Sequence, residues 1–396
     1  MRKLAVTFQP TTLNLQLPLM QLALFAFIRT IFNTAHRMAY PFLGVFARAL
    51  GVDIETMSLA LTARAIGGGI IPFITPLADR RGHKFGMLLA LGLFTLSMGI
   101  VVVFPTFPVL FASMFFASLA KLIFDPAMQA YISDRTPYEK RGRILAVTEL
   151  GWSFAFILGI PLMGFLISRG GWIAPFPLLM GLGLLTFILI FLQIPDDETL
   201  VRTRASVWTS FRNVFSYAPA IAGLSVGLWA TVANETVSLI FGVWLEDSFG
   251  LKIAALAASA AVIGISELGG EGLVAVLADK LGKERAVGFG LAANSIAALL
   301  LPFLGRTTFG ALLGLFLFYI TFEFTIVSII PMMTEIMPSA RATLMSFNVA
   351  SLSLGRAIGA PLSTFLYRFG FPVVAIGAVL FNIIAVLALR RMEKGK

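Results

Sequence analysis

The sequence predicts an all-α integral membrane protein with twelve transmembrane helices arranged as two pseudo-symmetric six-helix bundles. Three observations favour this class. Hydrophobic residues make up 58% of the 396 and charged residues only 13%, about half the charged share of an average soluble domain. The apolar residues form long continuous runs, and two unrelated motifs recur at one constant distance along the chain.

The apolar runs are long enough to cross a hydrocarbon core of ~30 Å, which takes about 20 residues in a helix. They are continuously apolar rather than alternating, which is typical of helices and not of barrel strands. We number them span 1 to span 12. They cover residues 17–46, 55–78, 84–104, 108–133, 143–168, 172–194, 217–245, 252–278, 284–304, 308–334, 343–367 and 371–391.

The two halves of the chain contain the same motifs at an offset of 200 residues. LADRRG at 77–82 is followed by LADKLG at 277–282, and GIPL at 159–162 recurs as GAPL at 359–362. Two unrelated motifs with one offset indicate a duplicated half. Internal duplication across membrane spans is typical of transporter folds, whose substrate site lies between the halves.

The longest polar interruption separates six spans from six. It predicts an N-terminal bundle at 1–195, a cytoplasmic linker at 196–216 and a C-terminal bundle at 217–396. Within the linker, apolar side chains fall near one helical face, which predicts a basic amphipathic helix in the inner membrane interface. An ordinary loop is the alternative. The apolar residues concerned are Val207, Trp208, Phe211, Val214 and Phe215.

The positions of lysine and arginine predict the orientation, because these residues favour the cytoplasmic side. With the N-terminus inside, the inner segments hold twenty of them and the outer loops hold five, Arg48, Arg169, Lys252, Arg306 and Arg368. Both termini are therefore expected in the cytoplasm, with the protein in the cytoplasmic membrane. This asymmetry also accounts for the net charge of +10, so we expect no nucleic-acid partner.

Several function classes have no support in the sequence. The chain has no cysteine and two histidines, so we expect no disulfide, no metal centre and no cofactor. No Gly-x-x-x-x-Gly-Lys-Ser/Thr loop is present, so direct ATP-driven transport is not expected. An intramembrane enzyme is disfavoured because no catalytic motif stands out. A non-transporting receptor on the same fold is a further alternative.

One loop carries a family resemblance. Residues 76–84, PLADRRGHK, resemble the signature loop between helices 2 and 3 of the major facilitator superfamily, and residues 275–285 look like its degenerate copy between helices 8 and 9. The resemblance covers nearly the whole chain and implies a secondary transporter. It implies that Asp79 contacts the cytoplasmic end of span 11 and latches the outward-facing state. The latch residues implied are Asp79, Arg80, Gly82, Lys84, Asp279 and Gly282.

Span 5 resembles, loosely, the helix-5 motif of drug:proton antiporters, and this favours outward transport. The resemblance rests on Gly151, Gly159, Pro161 and Gly164. In such antiporters helix 4 carries an arginine that falls on Met114 here, so the proton-coupling role of that arginine has no residue to transfer to. Small residues let helices approach closely, and the proline is expected to kink the span.

Charged side chains inside the spans each need a reason, because a charge at mid-bilayer costs at least ~2.5–3.5 kcal/mol. On span 1 an i, i+4, i+7, i+8, i+11 spacing places five polar residues on one stripe. We expect the stripe to face a cavity, with the two arginines meeting an anionic substrate group or an acid across it. In the alternative, Arg37 extends to the outer surface. The predicted cavity residues are Arg29, Asn33, His36, Arg37, Tyr40, Arg64 and Glu235.

Other buried charges are candidates for proton coupling or gating. Glu267 and Glu271 lie one turn apart on span 8, and Glu267 is roughly 18 Å from the loop at Asp279. Because two nearby carboxylates repel in low dielectric, one is expected to bind a proton. In the alternative, both pair with Arg64 or Arg356 in a static network. Two further pairs, Glu323 with Arg356 and Lys121 with Asp125, are expected to be structural or to open and close as gates.

The sequence therefore predicts a monomeric secondary transporter that moves a small molecule through the lipid bilayer by alternating access. The energy source is expected to be the proton gradient, acting through Glu235, Glu267, Glu271 or Glu323, and the direction is expected to be efflux. An uptake symporter or exchanger for an organic anion is the alternative, because the N-terminal half is basic.

Overall fold

The computed structural model describes residues 18–69, 82–196, 212, 214–337 and 341–394. Within these ranges every regular element is a helix, as lipid requires, because a backbone in hydrocarbon must satisfy its own hydrogen bonds. Within these ranges each predicted span coincides with one helix or with a helix that is broken once. Ten segments, corresponding to spans 3 to 12, are long and apolar enough to cross a membrane. The all-α membrane class is confirmed.

The N-terminal six spans are built from the following helices. Span 1 contains Leu19–Arg37 and Leu43–Leu50, span 2 Ile54–Gly69, span 3 His83–Val103 and span 4 Phe107–Asp134. Span 5 contains Tyr138–Phe154, a π-helical turn at Ala155–Gly159 and Ile160–Gly170, and span 6 is Pro175–Gln193.

The C-terminal six spans follow the same order. Span 7 contains Ala218–Ser238 and Phe241–Phe249, span 8 is Ile253–Leu281 and span 9 is Lys283–Leu304. Span 10 is Thr308–Ile336, span 11 is Arg341–Tyr367 and span 12 is Phe371–Lys394. Spans 1 and 7, which correspond in the duplication, are each broken into two helices. The sequence did not predict either break.

The predicted kink in span 5 takes the form of the π-helical turn. This turn ends two residues before Pro161. Proline has no N–H and cannot donate the usual helical hydrogen bond, and single π turns are a common way to accommodate such a defect. Span 5 is therefore interrupted near its middle.

The duplication is visible in the backbone. Glycines with positive φ occur in three pairs across the halves: Gly51 with Gly250, Gly82 with Gly282, and Gly171 with Gly370. In the first pair φ is 67° and 62°, and in the second it is 91° and 81°. Glycine adopts such conformations without a Cβ penalty, so the same loop geometry is specified twice.

The packing of the spans repeats with the same symmetry. Within the N-terminal six, span 1 packs on spans 4, 5 and 6, and in the C-terminal six span 7 packs on spans 10, 11 and 12. The halves meet where span 2 packs on span 11 and where span 5 packs on span 8. Because spans 2 and 5 correspond to spans 8 and 11, the two interfaces are equivalent. The prediction of two pseudo-symmetric bundles is confirmed.

Small residues occupy these interfaces between halves. A Cβ atom added at Gly68 would lie 2.1 Å from Ser353 Oγ, and one added at Gly164 would lie 2.4 Å from Ala257 Cβ. Such distances are far below van der Waals contact. Glycine therefore allows the halves to approach as closely as they do.

The bundle has two ends. The terminus side is the end at which span 1 begins and span 12 ends. The opposite side is the end that holds the connection between spans 1 and 2 and the connection between spans 7 and 8.

Candidate functional site

A cavity of about 490 Å³ lies between the two halves at the level of the middle of the spans. Its lining residues towards the terminus side include Ile330 and Val349, both more than two-fifths exposed. Towards the opposite side they include the buried residues Tyr40 and Phe241. The cavity therefore opens to the terminus side and is closed on the other.

Backbone contact between the breaks of spans 1 and 7 closes the opposite side. A Cβ atom added at Gly242 would lie 2.6 Å from the carbonyl oxygen of Pro41. No side chain fits between two backbones at that separation. The break in span 1 contains a proline, which removes one backbone donor and fixes φ.

Two exposed ion pairs join the halves at the same end. Arg48 donates to both carboxylate oxygens of Glu246 at 2.6 and 3.2 Å, and Arg368 donates to Glu55 at 2.8 Å. Near the second pair, Asp53 begins span 2 by accepting a hydrogen bond from the Thr56 N–H at 2.6 Å. Hydrogen bonding from Thr56 holds the pKa of Asp53 below its ordinary value. These contacts hold the closed end together at the membrane surface.

Arg37 and Glu267 form a buried ion pair between span 1 and span 8. The guanidinium donates to both carboxylate oxygens, one of them at 2.8 Å. The two residues are 5% and 3% exposed. Arg37 therefore meets an acid across the cavity, as predicted, and the alternative in which it extends to the outer surface is wrong.

Groups of span 5 hold the Arg37 guanidinium in place. It donates to the backbone oxygen of Trp152 at 3.1 Å, and its carbon lies 4.1 Å from the Trp152 ring centroid and 3.6 Å from that of Phe156. Cation–π contacts of this kind strengthen when water is excluded. Arg37 is thus attached to its own half by three groups and to the other half by one.

Arg29 lies in a second charged cluster that stays within the N-terminal half. It contacts Glu149 at 2.5 Å and Asp125 at 3.4 Å, and Lys121 contacts Asp125 at 2.5 Å. The predicted pair of Lys121 with Asp125 is confirmed. For Arg29 the expectation of an acid across the cavity is wrong, because both of its acids belong to spans 4 and 5 of the same half.

A hydrogen-bonded chain connects the halves near the closed end of the cavity. Arg64 of span 2 donates to the His36 carbonyl oxygen at 2.5 Å and to the Tyr40 hydroxyl at 3.2 Å. Tyr40 in turn donates to the Glu235 carboxylate of span 7 at 3.1 Å. His36, Tyr40 and Glu235 line the cavity. Arg64 does not line it and contacts two of these residues, His36 and Tyr40.

Asn33 is fully buried and does not line the main cavity. Its amide has no hydrogen-bond partner among the described residues. The expectation that Asn33 lines the cavity is therefore wrong, because its complete burial leaves it no surface on the cavity.

Three charged side chains line the cavity with no ion pair or hydrogen bond to any described residue. They are Glu271 of span 8, Glu323 of span 10 and Arg356 of span 11. The expected pair of Glu323 with Arg356 does not form. The two residues lie on adjacent spans, but no oxygen of the acid comes within 4 Å of the guanidinium in the part of the chain that is described.

Three residues of the predicted latch, Gly82, Lys84 and Gly282, lie within the described part of the signature loops. Gly82 and Gly282 cap spans 3 and 9 with matching positive φ, and Lys84 contacts Asp196 at 2.9 Å. Asp79, Arg80 and the side chain of Asp279 lie outside what the structure describes. In the described ranges no group of three acidic, histidine or cysteine side chains is arranged to hold a metal ion.

Sequence reasoning missed several residues of the site, among them Glu149, Trp152, Phe156 and Asn348. Glu149 carries a charge six residues inside predicted span 5, so the rule used for the other buried charges would have selected it. Trp152 and Phe156 are a matched i, i+4 pair. Nothing in the sequence separates these two aromatic residues from the many that face lipid.

A sequence model of the Major Facilitator Superfamily matches residues 22–339 and 273–396. The chain belongs to this superfamily. It is similar to the uncharacterized MFS-type transporter YceJ of Bacillus subtilis (strain 168), with 25% identity over 94% of this chain and 96% of that protein. It is also similar to the inner membrane transport protein YdhP of Escherichia coli (strain K12), with 23% identity over 88% of each.

The fold of this MFS protein is that of solved transporters. A bacterial homologue of the human lysosomal transporter Spinster, in an inward-facing and unoccupied conformation, superimposes with a TM-score of 0.76. The sequences are 14% identical, and the match covers 95% of this chain and 97% of the other. The protein is accordingly a multi-pass membrane transporter of the superfamily.

Proposed function

We propose that the protein is a proton-coupled exporter that moves a small molecule across the cytoplasmic membrane by alternating access. A mid-depth cavity that is open on one side and closed on the other is what this mechanism requires. In the proposed cycle, the two six-span bundles rock about the equivalent interfaces of span 2 with span 11 and span 5 with span 8.

The observation that carries proton coupling is the state of Glu271 and Glu323. Both line the cavity, and neither has a cation within 4 Å in the described part of the protein. A carboxylate in a low-dielectric site without a counter-ion is costly, and binding a proton removes that cost. We therefore assign the proton to one of these two acids.

Glu267 has a different role in this proposal. In the state open to the terminus side it is neutralised by Arg37, so it has no need of a proton. When the halves rock, Arg37 stays with the span 5 groups that hold it and separates from Glu267. Glu267 then becomes available to a proton only in the other state.

The lysine and arginine distribution supports cytoplasmic termini, and the terminus side of the cavity is then the cytoplasmic side. We extend the proposal to bundles at 1–195 and 217–396 joined by a cytoplasmic linker at 196–216, and to a functional monomer. Asp79, Arg80, Gly82 and Lys84, with Asp279 and Gly282, are proposed to latch the state that is open to the exterior.

Proton coupling can be tested in liposomes that contain the protein and the pH indicator pyranine. A library of small molecules of differing charge is added outside. A substrate that enters by antiport drives protons out and should alkalinise the lumen in either protein orientation, whereas symport should acidify it. Glu323→Gln and Glu271→Gln are each compared with Glu393→Gln, a change at an exposed acid. We expect at least one cavity variant to lose the proton flux and the control to keep it.

Substrate movement with an unchanged pH response in both cavity variants would exclude these acids from coupling. Substrate movement without any pH response in the wild-type protein would exclude proton coupling altogether. Variants that elute as a single species in detergent are used, so that loss of flux reports on mechanism and not on folding.

An uptake symporter or exchanger for an organic anion is the second candidate. It is favoured by Arg356, which lines the cavity without an acid within 4 Å among the described residues. Direction separates the candidates. Under an imposed proton gradient, export predicts accumulation of substrate in inside-out vesicles, and uptake predicts accumulation in right-side-out vesicles.

A further inference from the structure

The charged residues that line the cavity fall into two sets. In the first set each charge meets a partner: Arg37 with Glu267, Glu149 with Arg29, and Glu235 with the Tyr40 hydroxyl. In the second set are Arg356, Glu271 and Glu323, which have none within the described ranges. Arg356 attracts Glu235 electrostatically, but the two form no ion pair within 4 Å. A transport cavity that carries charges of both signs without ion-pair contacts is suited to a ligand that carries both signs.

The side of the cavity that carries Arg356 also holds polar atoms without hydrogen-bond partners. Asn348 lies eight residues before Arg356 on span 11 and so on the same helical face, and it is 3% exposed. Its side-chain oxygen, and that of Asn234 on span 7, lack a hydrogen-bond partner in the part of the protein described, although both residues line the cavity. A buried polar atom without a partner costs about 1–3 kcal/mol, and a bound ligand would recover it.

The two free acids lie together on the other wall of the cavity. Span 10 packs on span 8 through Gly270, where an added Cβ atom would lie 2.7 Å from Glu323 Cβ and 2.9 Å from the Ile320 oxygen. Any larger residue at position 270 would push span 10 away. The glycine therefore holds Glu323 beside the turn of span 8 that carries Glu271.

On the terminus side of Glu323 and Arg356, the cavity wall is apolar. It is formed by Phe322, Ile326, Ile330, Val349 and Leu352. A ligand without an apolar part would leave this surface in contact with water. An apolar part would remove it from water, which stabilises the complex by roughly 25 cal/mol per Å² of apolar surface buried.

We propose that the substrate is a small amphipathic zwitterion. Its anionic group binds Arg356, and its cationic group binds Glu323 and Glu271. An N–H group of the ligand donates to the side-chain oxygens of Asn348 and Asn234, and its apolar body packs on the apolar wall towards the terminus side. A cation alone would leave Arg356 without a partner, and an anion alone would leave the acids without one. This inference rests on the proposed transport function and names its substrate class. The ammonium of the substrate and the coupling proton then neutralise the same carboxylates, so substrate binding releases the proton.

Three probes with one apolar body test the inference. They are the dipeptide phenylalanylphenylalanine, which is a zwitterion at neutral pH, its C-terminal amide, which is a cation, and its N-acetyl derivative, which is an anion. Binding to purified protein in detergent is measured by isothermal titration calorimetry and by quenching of tryptophan fluorescence, to which Trp152 in the cavity wall contributes. We expect the zwitterion to bind at least about tenfold more tightly than either derivative, a difference of about 1.4 kcal/mol.

Two substitutions should remove the preference in opposite ways. Arg356→Gln should make the dipeptide bind no better than its amide, and Arg356→Lys should restore part of the difference. Glu323→Gln should make the dipeptide bind no better than its N-acetyl derivative. Arg306→Gln, at an exposed position in the loop between spans 9 and 10, should leave all three affinities unchanged.

Each contrary outcome has a definite meaning. Equal or tighter binding of the amide or of the N-acetyl derivative overturns the zwitterion proposal, as does failure of all three probes to bind. Equilibrium binding in detergent needs no proton gradient, so these outcomes are independent of the proposed coupling. A preferred zwitterion that elicits no proton flux in liposomes would instead overturn the coupling and leave the substrate class standing.

Discussion

The Arg29 cluster and the pair of Arg37 with Glu267 each contain a buried arginine, and the two arginines lie two turns apart on span 1. The cluster is confined to spans 1, 4 and 5, whereas the pair joins span 1 to span 8. If each half moves as a body, the cluster is preserved in every state and the pair belongs to one state. A charged contact within one half is therefore structural, whereas a charged contact across the two halves can break during the cycle. Charge and depth in the membrane do not distinguish the two.

The largest effect is expected for Arg29→Gln. Removing Arg29 leaves Glu149 without its cation and Asp125 with Lys121 alone. Because Glu149 is partly exposed, we expect a cost of about 3 kcal/mol, the lower end of the range for a broken buried pair. Thermal unfolding in detergent should show a clear loss of stability, and Arg29→Lys should recover part of it. A structural role for Arg29 would be contradicted if Arg29→Gln changed the populations of the two states and left the unfolding temperature unchanged.

Arg37→Gln should change the balance of states more than the stability. The charged hydrogen bonds of Arg37 to Glu267 contribute about 1.5–3 kcal/mol to the state open on the terminus side, so that state should lose roughly ten- to hundredfold in relative population. The readout is maleimide labelling of Val349→Cys, because Val349 lines the cavity and the natural chain has no cysteine. We expect slower labelling from the terminus side.

The matched measurement is the same labelling in Arg29→Gln. Within the comparison, its rate should equal that of the Val349→Cys parent. Equal slowing in both variants would show that the two arginines act as one network and that the distinction between them is wrong.

Gly264→Ala tests whether the interface between spans 5 and 8 tolerates added volume. An added Cβ atom would lie 2.8 Å from Ile157 Cγ1 and 3.0 Å from the Ser153 backbone oxygen. Overpacking of this kind costs about 1–3 kcal/mol, and we expect a lower unfolding temperature with reduced transport. Gly272→Ala on the same span is the control, since no atom lies within 4 Å of its added Cβ. Identical behaviour of the two variants would contradict the close packing.

The smallest effect is expected at the exposed pair of Arg48 with Glu246. Exposed ion pairs contribute about 0.2–1 kcal/mol, so Arg48→Ala should raise the population of the other state by less than about fivefold. The shift should shrink in high salt because such pairs are screened. The exchange of both charges, Arg48→Glu with Glu246→Arg, should restore labelling of Val349→Cys to the parent rate. A shift in population that does not depend on salt would show that the loss of this ion pair is not its cause.

The fold could be predicted from sequence because its signals are local and long. Runs of about 20 apolar residues identify spans, and a constant offset of 200 residues identified the two bundles. The breaks in spans 1 and 7 were missed, because the apolar run continues through both of them and the break of span 7 contains no proline.

The site was predicted less completely, because pairing depends on the rotation of each helix about its own axis. Arg37 and Glu267 are 230 residues apart, and no spacing rule joins them. Glu323 and Arg356 were expected to pair because they lie at similar depth on adjacent spans, but depth does not fix the direction of a side chain. Lys121 and Asp125 were predicted correctly, since an i, i+4 pair on one helix needs no knowledge of other spans.

The attachment of Arg37 to the aromatic rings and backbone of span 5 has a consequence for leakage. In the proposed cycle an empty transporter can reset only by pulling the guanidinium away from Glu267, which strands a carboxylate in a dry interior. A proton arriving on that carboxylate removes the obstacle. The ion pair of Arg37 with Glu267 thus opposes a change of state in the empty transporter. Uncoupled turnover should be rare as long as the rings of span 5 keep Arg37 in place.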